Sequence, residues 1–367
     1  MDAVVKGNGL NWLVVGTGFL GSMRAAALGA ARGSTLVAVT DLDESSAQSV
    51  AARCGVVPLA SLEEGLQRRN VNAVVIATPH ADHAGQVRQA LDAGKHVLCE
   101  KPLTIDADEA RALAVLAESR GLRLATGLNH RFYPPVRDAL ELVKTRAIGR
   151  VERVRATIGH EASSEFLASW HTDPARSGGG TLMDNGPHAC DLIRRLMGEI
   201  ISARGEVSDT LGLPEGCESE AVALFLDADG TRGELQSSWL QAEGYLSIEI
   251  RGDAGRLHLE TAPWRLSGKL SDGRRIKRRY GLDRVAERFF RLRHGCERSL
   301  VWELEAFAGL AMDRGVCATA WDGYRATEMV QAVYGSSATG REVALSPMPV
   351  RGPTRARRSR TALEPRR

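Results

Sequence analysis

Residues 12–21 read Trp12-Leu13-Val14-Val15-Gly16-Thr17-Gly18-Phe19-Leu20-Gly21, and an alanine-rich run over residues 22–31 follows directly. Four apolar residues, three glycines spaced Gly-x-Gly-x-x-Gly and a series of helix formers describe a buried strand turning sharply into a helix. Each glycine answers a separate steric demand. Gly16 permits the tight turn, Gly18 removes a side chain where a pyrophosphate approaches, and Gly21 lets the helix pack close to the strand. The first N–H groups of such a helix lack intrahelical acceptors and carry partial positive charge, which suits phosphate. Residues 36–40 form a second apolar strand, and Asp41 follows it, twenty residues after Gly21, where a carboxylate can bind ribose hydroxyls. The stretch predicts a dinucleotide site made by Gly16, Gly18, Phe19, Leu20, Gly21 and Asp41. A 2′-phosphate would meet the charges of Asp41, Asp43 and Glu44 with no arginine beside them, so NAD is expected as the cofactor rather than NADP.

Outward from this turn, apolar strand patterns at 73–77, 96–99 and 122–126 alternate with helical patterns at 45–53, 61–68, 84–93 and 106–120. Continuously apolar strands between helices mean a parallel sheet covered on both faces. After about residue 128 the rhythm changes. Strand-like runs at 151–159, 219–226, 233–238, 246–251 and 255–259 succeed one another, interrupted by helical patterns at 185–197, 300–313 and 324–334. That succession favours antiparallel pairing. The expected architecture is α/β. An N-terminal Rossmann domain with a parallel sheet spans 1–127, and an α+β domain with a large, mixed, mostly antiparallel sheet spans 128–348. Residues 349–367, rich in arginine and with little to bury, are expected to be disordered.

The 367 residues are 43% hydrophobic and 25% charged, with a net charge of +3. Seven arginines in the last seventeen residues account for the excess, so the body gives no argument for nucleic acid or an anionic membrane as partner. The six cysteines show no paired spacing, which argues against a zinc site, a redox dithiol or a disulfide framework. The apolar run at 12–15 is far shorter than a signal-peptide core, and no 18-residue apolar run occurs. A cytoplasmic enzyme with reduced thiols is expected.

Residues 75–83 read Val-Ile-Ala-Thr-Pro-His-Ala-Asp-His, and residues 94–103 read Gly-Lys-His-Val-Leu-Cys-Glu-Lys-Pro-Leu. With the glycine turn, and with Gly178-Gly179-Gly180 leading to Asp184, Gly186 and His188, the chain resembles the Gfo/Idh/MocA family of nicotinamide-dependent oxidoreductases. The motifs recur in order along nearly the whole chain. The resemblance implies that Lys101 and His188 are catalytic with Asp184 close by, and that Thr78, Pro79, His83, Glu100 and Lys101 line the nicotinamide side of the cofactor site. It also implies substrate or cofactor contacts from Asn129 and Arg131, and from Trp170 and His171. His171 stands where the family often has arginine, and His80 where it usually has asparagine. A polyol ring (sugar, amino sugar, cyclitol or nucleotide sugar) is the implied substrate, and a homodimer or homotetramer through the C-terminal sheet the implied assembly.

The residues support part of this independently. Glu100-Lys101-Pro102 ends an apolar strand, at the carboxyl edge of a parallel sheet where open α/β sheets place ligands. Asp184 and His188, four residues apart in a helix expected from about residue 185, would share one face. Their neighbours Cys190 and Asp191 fall on other faces, so no metal is expected. Three successive glycines would let backbone come close to a ligand. The expected reaction is reversible oxidation of a secondary alcohol, with His188 as base, Lys101 as its electrostatic partner and Asp184 orienting His188 or binding a neighbouring hydroxyl. A keto-sugar reductase, an NAD-assisted glycoside-cleaving enzyme and a non-catalytic NAD-sensing regulator stay open beside it. Nine cationic residues between Arg274 and Arg293 read either as a solvated insert on the sheet's rim or as a docking surface for a phosphorylated or nucleotide-linked sugar, or an acidic partner.

Overall fold

The computed structural model describes residues 9–241, 245–310 and 316–348. The arginine-rich segment 349–367, expected to be disordered, lies outside them. Six strands form the first sheet: β1 (Leu10–Val15), β2 (Ser34–Thr40), β3 (Val57–Leu59), β4 (Ala73–Ile76), β5 (His96–Glu100) and β6 (Leu124–Gly127). The second is built from β7 (Val151–Gly159), β8 (Ile200–Ser208), β9 (Glu220–Asp227), β10 (Arg232–Ser238), β11 (Leu246–Gly252), β12 (Arg256–Thr261), β13 (Trp264–Lys269) and β14 (Arg275–Arg279). Two short late strands, β15 (Ala318–Thr319) and β16 (Val343–Ala344), each extend one sheet by an edge.

In the first sheet the order β3-β2-β1-β4-β5-β6 is parallel throughout, the doubly wound arrangement, with β15 antiparallel on β6. Trp12, Leu13 and Val14 are fully buried, as are Val74, Val75 and Ile76, because helices cover both faces. Helix ends fall where local chemistry puts them. Asp43 and Asp106 cap the helices Glu44–Cys54 and Ala107–Arg120 by accepting backbone N–H bonds, and Gly55 and Gly121 close them in the left-handed conformation. The second sheet runs β14-β13-β12-β11-β7-β10-β9-β8-β16. It is antiparallel except for β7 beside β10, as the succession of short strands implied. Both faces of the fold class read from the sequence are therefore present.

The division near residue 128 is less clean than the change of rhythm suggests. The helices Arg298–Phe307 and Ala320–Thr339 return to the first sheet and complete its cover. Leu300, Leu304 and Phe307 of the helix Arg298–Phe307 pack with Trp12, Val14 and Leu28 on one face. On the other, Trp321 and Tyr324 of the helix Ala320–Thr339 join Leu113, Ala117 and Leu91. The same long helix turns Met329, Val330 and Val333 into the core of the second sheet. An amphipathic pattern shows that a face is buried, not which sheet it covers.

The basic stretch forms the edge strand β14 and the helix Gly281–His294. It lies on the rim, and the cationic edge strand discourages further strand pairing there.

Candidate active site

The carboxyl ends of β1, β2, β4, β5 and β6 share one edge of the first sheet, and each delivers part of the site. Gly16 adopts φ 85°, and a Cβ there would come within 2.5 Å of the Ala77 carbonyl oxygen. A Cβ at Gly21 would run into the Gly16 carbonyl, so this glycine seats the helix Phe19–Ala30 against the turn. At Gly18 a Cβ would meet nothing within 4 Å. Its role is open space on the solvent side. No side chain caps the helix, so its first N–H groups stay available to an anion. Asp41 accepts from Thr17 N at 2.5 Å and Thr17 Oγ1 at 3.0 Å, and its other oxygen accepts from Asp43 N at 3.0 Å. The Asp43 carboxyl is held below its usual range by its hydrogen bonds to Ser45 and Ser46, which fixes a second negative charge beside Asp41. An open glycine, an uncapped helix and an oriented carboxylate at the end of β2 fit NAD, and the two fixed negative charges disfavour a 2′-phosphate.

Lys101 follows β5 with a cis bond to Pro102. Its ammonium donates to the Asp184 carboxylate at 2.6 Å and to the Asp184 carbonyl at 2.7 Å. Burial opposes charge on Asp184, but the Lys101 ammonium outweighs it and keeps the carboxyl well below the usual carboxylate range. The sequence suggested one helix carrying Asp184 and His188 on a common face. Instead, the turn Thr181–Asp184 ends and a separate helix, Gly186–Met197, begins with Pro187 in its first turn. Asp184 thereby turns to Lys101 rather than orienting His188. The His188 ring is nearly buried, its Nδ1 has no hydrogen-bond partner, and burial, with His130 and Lys101 beside it, drives its pKa well below the ordinary value. It is a neutral imidazole at physiological pH.

A row of rings surrounds the Lys101–Asp184 pair. His80 meets Trp170 edge-on at 4.8 Å, Trp170 stacks on His171 at 4.0 Å, and His171 on Phe166 at 4.2 Å. Phe166 touches His160 at 5.1 Å, His160 lies 6.4 Å from Tyr245, Tyr245 meets His130 at 5.1 Å, and His130 stacks on His188 at 3.8 Å. Trp170 and His171, expected from the resemblance as substrate contacts, are two of these rings. His80, His130, His160, Phe166 and Tyr245 were not singled out as site residues. Strand pairing explains three of them: β7 ends at Gly159, β11 begins at Leu246 opposite Ile158, and so His160 and Tyr245 meet at one sheet end, facing His130 after β6. Burial lowers the pKa of His80, His160 and His171, the last to about 4, and that of His130 to about 3. Among the described residues of the cleft the imidazoles are uncharged and the Lys101–Asp184 pair is neutral overall, so these residues are polar without net charge.

Other expected site residues serve behind it. His83 is fully buried with Nδ1 2.8 Å from the Pro102 carbonyl and Nε2 2.9 Å from the Thr78 carbonyl. It ties the β4 turn to the β5 turn. Thr78 stays half-buried, its hydroxyl bonded to Gln86 at 2.7 Å. Glu100 accepts from Arg24 Nε at 2.5 Å, and Glu303 lies 2.7 Å from Arg24 Nη1, a buried ion triad beneath the cleft. Arg131, expected from the resemblance as a substrate or cofactor contact, forks onto Asp191 in a buried pair, with Asp322 3.3 Å away, and so clamps two elements together. Asn129 donates to Ser299 at 3.0 Å. The triple glycine also has a packing cause. A Cβ at Gly180 would collide with Glu218 backbone, one at Gly179 with the Tyr334 hydroxyl and one at Gly178 with Ile105. Glu218 in turn accepts from Gly180 N and Leu182 N, holding the turn that carries Asp184.

Comparison with known proteins agrees with this architecture. Residues 10–128 match the oxidoreductase family with NAD-binding Rossmann fold, GFO_IDH_MocA, and residues 136–258 match the GFO/IDH/MocA C-terminal domain. Inositol 2-dehydrogenase of Rhizobium meliloti (strain 1021) is 28% identical over 254 residues, 67% of this chain and 74% of the relative. The dTDP-3,4-didehydro-2,6-dideoxy-alpha-D-glucose 3-reductase of Streptomyces violaceoruber is 33% identical over 235 residues, 63% of this chain and 62% of the relative. Among solved structures, GenD2 from gentamicin A biosynthesis in complex with NAD superposes with a TM-score of 0.75 at 29% identity, covering 93% of this chain and 97% of that one. Levoglucosan dehydrogenase with NADH and levoglucosan gives a TM-score of 0.80 at 22% identity, over 92% of this chain and 100% of that one, which speaks to the fold. The two family matches together span more than half of the chain, in the order of its two sheets. The chain belongs to the Gfo/Idh/MocA family of NAD-dependent oxidoreductases.

Proposed function

We propose that this enzyme interconverts a secondary alcohol and a ketone on an uncharged sugar or cyclitol ring. The observation that carries the reading is the Lys101–Asp184 pair beside the neutral, unpartnered His188, at the sheet edge where the dinucleotide cradle ends. NAD, when bound, supplies the hydride acceptor. Gly16, Gly18, Gly21 and Asp41 hold it, with the first-turn N–H groups of residues 19 and 20.

His188 accepts the hydroxyl proton at a ring nitrogen, which its low pKa leaves free to do so at neutral pH. Lys101 donates a hydrogen bond to the same oxygen and stabilises its developing negative charge. Asp184 fixes the ammonium for that task. The rings of His80, Trp170, His171, Phe166, His160 and Tyr245 offer flat apolar faces to C–H groups and scattered nitrogens to hydroxyls, as a polyol ring requires. Among the described residues that line the cleft, a phosphate or carboxylate on that ring would find no compensating charge beyond the Lys101 already bound to Asp184. The inositol dehydrogenase and levoglucosan dehydrogenase among its relatives are named for uncharged rings of this kind, whereas the dTDP-sugar reductase is named for a ring that carries a diphosphate.

Two coarser matters complete the proposal. Among the described residues no helix is long and apolar enough to cross a membrane, and all six cysteines are free thiols, which suits the cytoplasm. Ile201, Val222 and Leu224 stand exposed on the adjacent strands β8 and β9, which suits a second copy of the chain on this face of the sheet.

The test is NADH absorbance over a panel of cyclitols and free sugars, each beside its phosphate ester, with the corresponding ketones assayed in reverse. Turnover confined to uncharged rings supports the proposal. Turnover of the phosphate esters alone refutes it.

A further inference from the structure

We propose that His130 is a positioning residue for the reaction: its ring, stacked face to face on His188, fixes the orientation of the His188 imidazole and preserves its neutral, proton-accepting form. The inference rests on His188 being the base. A histidine base is usually oriented through its second nitrogen, which donates to a carboxylate or carbonyl. Here His188 Nδ1 has no partner, and neither does His130 Nδ1. No hydrogen bond at that nitrogen stops the His188 ring from rotating about χ2. What faces it is the His130 ring, 3.8 Å away and within 9° of parallel.

His130 is itself held. Tyr133 lies 4.8 Å from it at 30°, and Tyr245 meets its edge at 5.1 Å. The two rings come from separate elements, the 3₁₀ turn Asn129–Phe132 after β6 and the first turn of the helix Gly186–Met197. A buried ion pair locks these elements in register, because Arg131 follows His130 directly and Asp191 lies one helical turn after His188. The clamp formed by an arginine outside the cleft thereby acquires a purpose inside it.

Among the described residues, the ionisable groups facing His188 are His130, Lys101 and Arg24, and none is an acid. The helix N-terminus adds partial positive charge. His130 covers one face of the ring and, with burial and Lys101, holds the His188 pKa below its ordinary value, while burial suppresses the protonation of His130 itself.

The experiment compares His130→Ala and His130→Phe in the whole enzyme by kinetics and by NMR titration of the His188 ring. In His130→Ala, kcat falls about 10- to 100-fold, the scale of a misplaced reacting group, while NADH affinity is retained. The His188 titration and the acid limb of the kcat profile both move up towards the ordinary histidine value. His130→Phe keeps the stack and behaves as wild type in all three readouts. If His130→Ala does not fold, His130→Phe decides alone. Wild-type turnover and titration in His130→Ala overturn the proposal, and so does a His130→Phe enzyme as impaired as the alanine variant, since that would require the imidazole nitrogens. If the wild-type enzyme oxidises no polyol, the function proposed above fails, while the His188 titration still decides the pairing.

Discussion

Glu303 and Glu100 share one buried cation, Arg24, and this triad makes a quantitative prediction for Glu303→Gln. Glu303 and Arg24 are fully buried and Glu100 is 6% exposed. Burial, only partly offset by Arg24 and reinforced by the Glu100 carboxylate, pushes the Glu303 carboxyl from its usual 4.5 up to about 7. Between these values the folded protein keeps a proton that the unfolded chain has released. Stability contributed by this group is therefore complete below about pH 4.5 and lost as pH rises towards 7. The gap of about 2.5 units corresponds to about 3 kcal/mol. Glutamine keeps the shape, cannot ionise and leaves Arg24 paired one-to-one with Glu100. Urea unfolding of both proteins at a series of pH values should show the wild type losing about 3 kcal/mol relative to Glu303→Gln between about pH 4.5 and 8. Parallel stability curves would refute the reasoning, because they would mean that Glu303 ionises alike in both states.

Three further substitutions test separate parts of the account. Asp41→Ala should weaken NAD about 10-fold or more, the value of hydrogen bonds to a charged group, and relax discrimination against NADP, as fluorescence titration with both cofactors would show. Gly180→Ala forces a methyl group into Glu218 backbone and disturbs the turn that carries Asp184. A loss of about 1–3 kcal/mol in thermal unfolding is expected, together with reduced kcat. Arg131→Met leaves Asp191 buried without its cation. It should cost about 3–5 kcal/mol of stability while the substrate KM of the surviving folded enzyme stays near wild type, against the substrate contact that the family resemblance implied.

The parts of the molecule legible in the sequence were those whose cause is local. The glycine turn needs three residues without side chains within six positions, and Asp41 follows because β2 ends there. Lys101 could be placed because a strand-end Glu-Lys-Pro must fall at the carboxyl edge of a parallel sheet. The rest depended on long-range pairing. His130, His160 and Tyr245 lie far apart in the chain and meet only because β6, β7 and β11 end at one place. Arg131 reads as a polar residue in a motif, and only the fold supplies Asp191 and Asp322 as its partners. The triple glycine looked like room for a ligand, whereas Glu218, Tyr334 and Ile105 occupy that room. Asp184 and His188 have helical spacing, but the break at Asn185 turns one to Lys101 and the other to His130.

The central claim is that Lys101 stabilises the reacting oxygen while His188 takes its proton. Its most direct test is stopped-flow NADH formation by Lys101→Met, at saturating NAD and with a polyol that the wild-type enzyme oxidises. The account predicts a rate about 100- to 1,000-fold lower, with NADH binding retained. A Lys101→Met enzyme that forms NADH at the wild-type rate would contradict it.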